Sequence, residues 1–143
     1  QYIDNLCVRD LDSVECMSGQ AEITRAHGRM GGKCIGFDKS YSDRDGVDIN
    51  TACGLERAMS FALRIRRHGS MWGVPVCSSW YWIARSGSGR NCDSPGGDTR
   101  LQRVRSGNVM VVRLVLIFVA CWTRGVHLWL EIQCLLSSTN GVY

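Results

Sequence analysis

The chain has 143 residues, a net charge of +4, and apolar and charged shares of 45% and 21%. That length makes one domain with a core of its own, residues 1–143, and the composition excludes a disordered or low-complexity chain. Eight cysteines are too sparse for a small disulfide scaffold, and none stand in Cys-x-x-Cys spacing, which excludes a zinc knuckle; no metal site is expected.

Cys34, Cys121 and Cys134 sit in apolar company, so most of the cysteines read as free thiols in a reducing intracellular compartment. Among the seventeen basic residues only Lys33 and Lys39 are lysines. Arginine suits bidentate contacts to phosphate or carboxylate as well as ordinary surface pairing. The first residues lack a basic head followed by an apolar run, so no signal peptide is expected, and the start at Gln1 reads as a processed product or a fragment.

Short apolar runs alternate with helical patterns, the signature of βαβ units and a mainly parallel sheet. A strand is expected over 13–18 (SVECMS), a helix over 20–29 closed by Gly31 and Gly32, a strand over 33–38 (KCIGFD) and a brief one over 46–49 (GVDI). Asp48 or Thr51 can cap the next helix. There Leu55, Ala58, Met59, Ala62 and Ile65 recur at helical spacing, with Arg57, Arg64, Arg66 and Arg67 on the other face. A strand over 69–77 (GSMWGVPVC) follows.

Residues 84–107 then form a long loop, with Arg85, Arg90, Arg100, Arg103 and Arg105 against Asp93 and Asp98. Such a stretch is either an anion-facing lid or a solvated loop that pairs its own charges. The next helix, over 108–124, opens at Ser106 or Asn108 and stops at Gly125. It is apolar nearly all round, but it falls short of the roughly 20 residues of a membrane span and Arg113 interrupts it, so it is expected to lie against the sheet. A fifth strand over 126–132 (VHLWLEI) ends the pattern. The expected architecture is α/β: a truncated doubly wound, mainly parallel five-stranded sheet with flanking helices.

In such sheets ligands bind beyond the carboxyl ends of the strands. The first strand delivers Glu15 four residues before Gly19, whose turn opens a helix; the second delivers Asp38 about twenty residues on, placed to accept the ribose hydroxyls of a nucleoside. Asp48 either receives an adenine amino group or caps the following helix. The fourth strand brings Cys77 to the same edge, as a nucleophile if its pKa is lowered or as a semi-buried thiol at a plain strand exit. Glu131 ends the fifth. Trp80, Tyr81 and Trp82 read as packing at the rim before they read as a base-stacking platform. A fifth strand with no later neighbour leaves an apolar edge over 126–132, to be covered by the tail QCLLSSTNGVY, a second copy or a larger assembly.

The order E-C-M-S-G, G-F-D, D-I-N-T-A-C-G-L, G-V-P-V-C-S-S-W, S-G-S-G-R and H-L-W-L-E, over residues 12–138, resembles the methyltransferase-like proteins of unicellular photosynthetic algae. More distantly it is similar to the S-adenosylmethionine-binding half of cytosine-5 DNA methyltransferases. The resemblance implies a Rossmann-like class I methyltransferase fold with Glu15, Gly19, Asp38 and Asp48 around S-adenosylmethionine. Cys77 and Glu131 map onto the cytosine enzymes' nucleophile and glutamate, and Arg90, Arg100, Arg103 and Arg105 would face an anionic substrate or partner, nucleic acid included. Val76 separates Pro75 from Cys77, where those enzymes have the two adjacent, and nothing after Glu131 supplies a target-recognition region. The expectation is therefore a non-catalytic accessory or structural subunit of a larger assembly, organellar or photosynthetic in such hosts. The alternative is an active S-adenosylmethionine-dependent methyltransferase.

Overall fold

A computed structural model describes residues 8–41, 47–75 and 85–131. At its centre lies β1 (Leu11–Cys16), buried on both faces as a strand between two parallel neighbours is. Beside it run β2 (Cys34–Phe37), β3 (Ile65–Gly73) and β4 (His127–Leu130), in the order β2-β1-β3-β4 with every pair parallel. Side chains alternate across the sheet. Ser13 and Glu15 therefore meet α1 (Glu22–Arg29), through His27 and Thr24, and Val14 and Cys16 point the other way.

That second face carries the core. It is covered by α2 (Ala52–Leu63) and, beyond the single turn α3 (Arg85–Ser88), by α4 (Gln102–Trp122). Ala58 and Ala62 of α2 and Met110, Leu114 and Ile117 of α4 pack with Val14 and Met71 in one cluster. The contact is close at Gly73, where a Cβ would come within 2.8 Å of Leu114. On the α1 face, Trp72 and Trp129 stack with ring centroids 5.1 Å apart, and His27 meets Trp72 edge-on.

The described sheet has four strands, not the five expected. Residues 47–49 of the expected third strand belong to no strand, because the carbonyls of Asp48 and Ile49 are met by a turn and by a side chain of α4 rather than by a neighbouring strand. The Asp48 carbonyl accepts from the Thr51 N–H and hydroxyl, both at 2.9 Å, and the Ile49 carbonyl accepts from Arg113. Ile49 mimics a strand residue in sequence because it is buried, at 3% exposure. The cap of α2 is Thr51, whose hydroxyl accepts from the Gly54 N–H at 2.9 Å; Asp48 instead accepts from the Asn50 N–H at 2.8 Å.

The boundary between α2 and β3 also differs from the expectation. Ile65 is not the last core residue of the helix but the first of β3, opposite Leu11. Arg64 and Arg66 thus leave the helix face for ion pairs to Asp10 and Asp12, at 2.7 and 3.0 Å. The register slips between the pairs Leu11/Ile65 and Ser13/Ser70. His68 takes up the slack with a φ of 64°, its N–H bonded to the Gly125 carbonyl. At its far end β3 stops at Gly73 rather than at residue 77; Cys77 and Trp80–Trp82 lie outside the described residues. The last strand is also shorter than 126–132.

The stretch 84–107 is not without an element of its own: α3 occupies part of it, and α4 begins at Gln102, six residues before the expected start. Neither Ser106 nor Asn108 caps it. The residue preceding it, Leu101, supplies no side-chain cap, and Asn108, inside the helix, bonds Arg90 and the Gly96 carbonyl instead. At 21 residues α4 is long and apolar enough to cross a membrane by length and composition, so the length argument against a span does not hold. Its stripe Met110, Leu114, Ile117 and Cys121 is nonetheless buried in the core cluster against the sheet, and Val104 and Gly107 of its first turns are buried as well. Gly125, with a φ of 74°, ends the turn that follows the helix. Among the described residues Cys16, Cys34, Cys53, Cys92 and Cys121 are free thiols.

Candidate functional site

The turn that leads from β1 into α1 is strained and lies against the carboxyl end of β2. Within residues 17–21, Met17, Gly19 and Ala21 have φ of 59°, 50° and 54°, and such a conformation costs a non-glycine residue about 1 kcal/mol or more. Neighbours hold it in place. The Met17 N–H donates to the Phe37 carbonyl at 2.6 Å, the Ala21 N–H to Ser18, and the Ser18 and Tyr41 hydroxyls lie 2.6 Å apart.

Asp38 is the hub of this arrangement. One carboxylate oxygen accepts the Gly19 N–H at 2.9 Å; the other accepts the N–H and hydroxyl of Ser40, at 2.8 and 2.7 Å. Partial burial pushes its pKa up, but the bonds from Ser40 and Gly19 and the charge of Lys39 outweigh that and hold it below the usual value. It is an anion at neutral pH.

Glu15 is buried, and one of its oxygens accepts both the N–H and the hydroxyl of Thr24, at 2.8 and 2.7 Å. Ala21, before α1, offers no side-chain cap. Glu15 supplies the missing acceptor for a first-turn N–H and ties α1 to β1.

Two cavities meet here. The smaller, about 250 Å³, lies between the end of β2, the loop before α2 and the first turns of α4; Asp38, Asp48, Asn50, Arg103 and Ser106 line it. The larger, about 400 Å³, is lined by Gly19, Val74 and three acids, Glu15, Glu22 and Glu131. Met17 belongs to both. Gly19 and Asp38 are thus in contact, Asp48 shares Asp38's cavity, and Glu15 and Glu131 share the neighbouring one. Glu131 is exposed, held by its N–H to the Gly73 carbonyl. Cys77 is not among the described residues. No group of three or more His, Cys, Asp or Glu among the described residues is placed to hold a metal ion.

The arginines bond chiefly with their own loop. Arg90 is buried at 6% exposure, donating to the Pro95 carbonyl and Asn108, and burial lowers its pKa. Arg100 forms a two-pronged pair with Asp98 that holds the Asp98 carboxyl below its usual range. Arg105 donates to Gln102 and the Thr99 carbonyl. Arg103 donates to the Gly87 carbonyl while lining the smaller cavity. The thiols of Cys16 and Cys121 are pushed up by burial, to about 12 and about 11, and at neutral pH neither is a nucleophile.

Sequence reasoning missed two residues of this site. Arg113, read only as a break in an apolar helix, donates to the Ile49 and Thr51 carbonyls, both at 2.7 Å, and so fixes the wall of the smaller cavity. A lone charge in an apolar helix needs a partner, and that was the signal. Asn50 gave none: its Oδ1 is buried without a hydrogen-bond partner among the described residues. Compared with protein-family models, curated proteins and solved structures, the chain matches none.

Proposed function

We propose that the chain is a methyltransferase-like module, a Rossmann-like sheet that holds a nucleoside cofactor of the S-adenosylmethionine type at the carboxyl edge of β1 and β2. The carrying observation is the pair of cavities joined at Met17, one lined by Asp38, Asp48 and Asn50 and the other by Glu15, Glu22 and Glu131. Carboxylate and amide oxygens in the smaller cavity suit the hydroxyls and amino group of an adenosine. The carboxylates of the larger one suit the positive sulfonium and ammonium groups of the methionine part. Bound there, the cofactor would supply an electrophilic methyl group; the chain's residues bind and orient it. Arg103, at the rim of the smaller cavity, is the arginine placed to meet an anionic substrate, with Cys77 and Glu131 kept as the catalytic pair that the resemblance implies.

A second reading, a non-catalytic accessory subunit of a larger assembly, organellar or photosynthetic, in a reducing compartment, is favoured by Asp38 itself. Three of its acceptor sites are already taken within the chain, by Gly19 and by Ser40 twice, so Asp38 has a structural role without any cofactor and keeps one acceptor site on the oxygen that meets Gly19 for a ribose. Calorimetric titration of the full chain with S-adenosylmethionine and with its demethylated product separates the two. A dissociation constant on the order of micromolar, lost in Asp38→Ala, is the result expected of the cofactor-binding module. A folded chain that takes up neither compound leaves the accessory reading.

A further inference from the structure

We infer that the chain pairs with a second copy of itself through the outward face of α4, in an antiparallel, two-fold arrangement. This rests on the helix alone and is independent of what the cavities bind. Opposite the buried stripe, Val109, Val112, Val115, Leu116, Val119 and Trp122 are exposed, at 41%, 59%, 53%, 53%, 52% and 71%. At 100° per residue they fall within one arc centred away from the sheet. The only charge between Asn108 and Thr123 is Arg113, and it is turned to the Ile49 and Thr51 carbonyls. Valine is also a poor choice for a solvated helix position, since it lowers helix propensity there and gains nothing from packing. Four valines in one outward row make sense where that row is covered.

Three observations name the cover. The row carries no charge with which to select a partner of opposite sign, so what fits it is another uncharged aliphatic ridge. Its area, roughly 600 Å², is at the top of what a monomer leaves bare; two such faces together bury roughly 1,200 Å², the lower bound of a stable interface. The spacing then selects the same helix as its own complement. From Val109 to Trp122 the steps are three, three, one, three and three, a series that reads the same from either end. An antiparallel two-fold between residues 115 and 116 sets Val112 against Val119 of the other copy and Val115 against Leu116. It also sets Val109, the least exposed of the six, against the bulk of Trp122. A two-fold interface requires this kind of self-complementarity.

The test is the oligomeric state of the full chain by sedimentation equilibrium, with circular dichroism to confirm folding. The wild type is expected to be a dimer at micromolar concentration. Val112→Glu should weaken it by about 100-fold or more, because each copy then buries an unpaired carboxylate. Combining Val112→Glu with Val119→Lys should restore it, since the antiparallel pair sets the acid of one copy against the base of the other; a parallel pair would oppose like charges and stay apart. A wild type that remains monomeric at tens of micromolar, a Val112→Glu chain that still dimerises, or a double variant without rescue overturns the proposal. So does flotation of the wild type with anionic phospholipid vesicles that Val112→Glu abolishes, which would make the cover a lipid surface.

Discussion

Two loops wall the smaller cavity, and they are held by different means. The turn over 17–21 is held by hydrogen bonds near the surface, from the Met17 N–H to the Phe37 carbonyl, between the Ser18 and Tyr41 hydroxyls, and from the Gly19 N–H to the half-buried, ionised carboxylate of Asp38, itself fixed by Ser40. The loop over 47–51 is held from inside, by the burial of Ile49, by Arg113 reaching across from α4, and by the start of α2 pressed against it. The first can exchange one bond for another when a ligand offers hydroxyls, while the second is a fixed wall. A binding site needs both, one side that yields to the ligand and one that keeps the shape.

The fixed wall should break hardest at Gly54. A Cβ there would stand 1.8 Å from the Asp48 carbonyl oxygen, backbone against backbone, with no flexible side chain to move aside. Gly54→Ala is expected to cost about 3 kcal/mol, read as a lower urea midpoint at unchanged slope. A loss under about 1 kcal/mol would mean that the loop over 47–51 shifts freely, and the contrast with the turn over 17–21 would fall.

Next in size is Arg113→Met, which keeps most of the apolar stem and removes the donors. The Thr51 carbonyl still accepts from the Leu55 N–H at 3.1 Å, so the Ile49 carbonyl is the one left unmet. An unsatisfied buried carbonyl costs about 2 kcal/mol, and Arg113→Lys should recover part of that. Equal losses in both variants would show that the guanidinium works through its packing and not through the two carbonyls.

The same contrast divides what the sequence made legible from what it hid. The polar turn was readable because its parts lie at strand ends. β1 and β2 fall within two residues of the runs SVECMS and KCIGFD, which brings Gly19 and Asp38 to neighbouring positions. The fixed wall was not readable, since it rests on contacts between residues more than sixty apart, Arg113 with Ile49 and Thr51, that no local pattern encodes. Ile49 beside Val47 imitated a strand because burial leaves the same apolar mark on a turn as on a ladder. The end of α2 was hidden because no glycine or proline separates Leu63 from Ile65; only the pairing of Ile65 with Leu11 puts it in the sheet. The early start of α4 was hidden for the opposite reason, its first turns being polar where they run past the end of the sheet. Arginine content, finally, does not reveal partners. Arg100 and Arg105 were as suited to phosphate as to the Asp98 carboxylate and the carbonyls they meet.

The smallest effect falls on the yielding side and carries a pH signature. Asp38→Asn keeps the shape of the side chain and one acceptor oxygen but cannot serve Gly19 and Ser40 from two. The expected loss is about 1 kcal/mol at neutral pH, because these groups are partly exposed and the bonds are screened. The folded-state pKa of Asp38 is depressed below its ordinary 3.8. The stability it contributes is therefore fully present above that ordinary value and is lost as the pH falls through the lower, folded one. The carbonyls that Arg113 meets carry no ionisable proton, so the penalty of Arg113→Met should stay constant from neutral pH down to the acid limb. That of Asp38→Asn should begin to shrink below about pH 4 and reach zero only below the depressed folded value, where the wild-type carboxyl is also protonated. Urea midpoints of the three chains across that range would show it: convergence of Asp38→Asn on the wild type, with Arg113→Met displaced by the same margin throughout, places the ionised hub in the turn over 17–21 and not in the loop over 47–51. Parallel curves for both variants would instead mean that Asp38 holds the turn by shape alone, and its charge would then be free to meet a ligand.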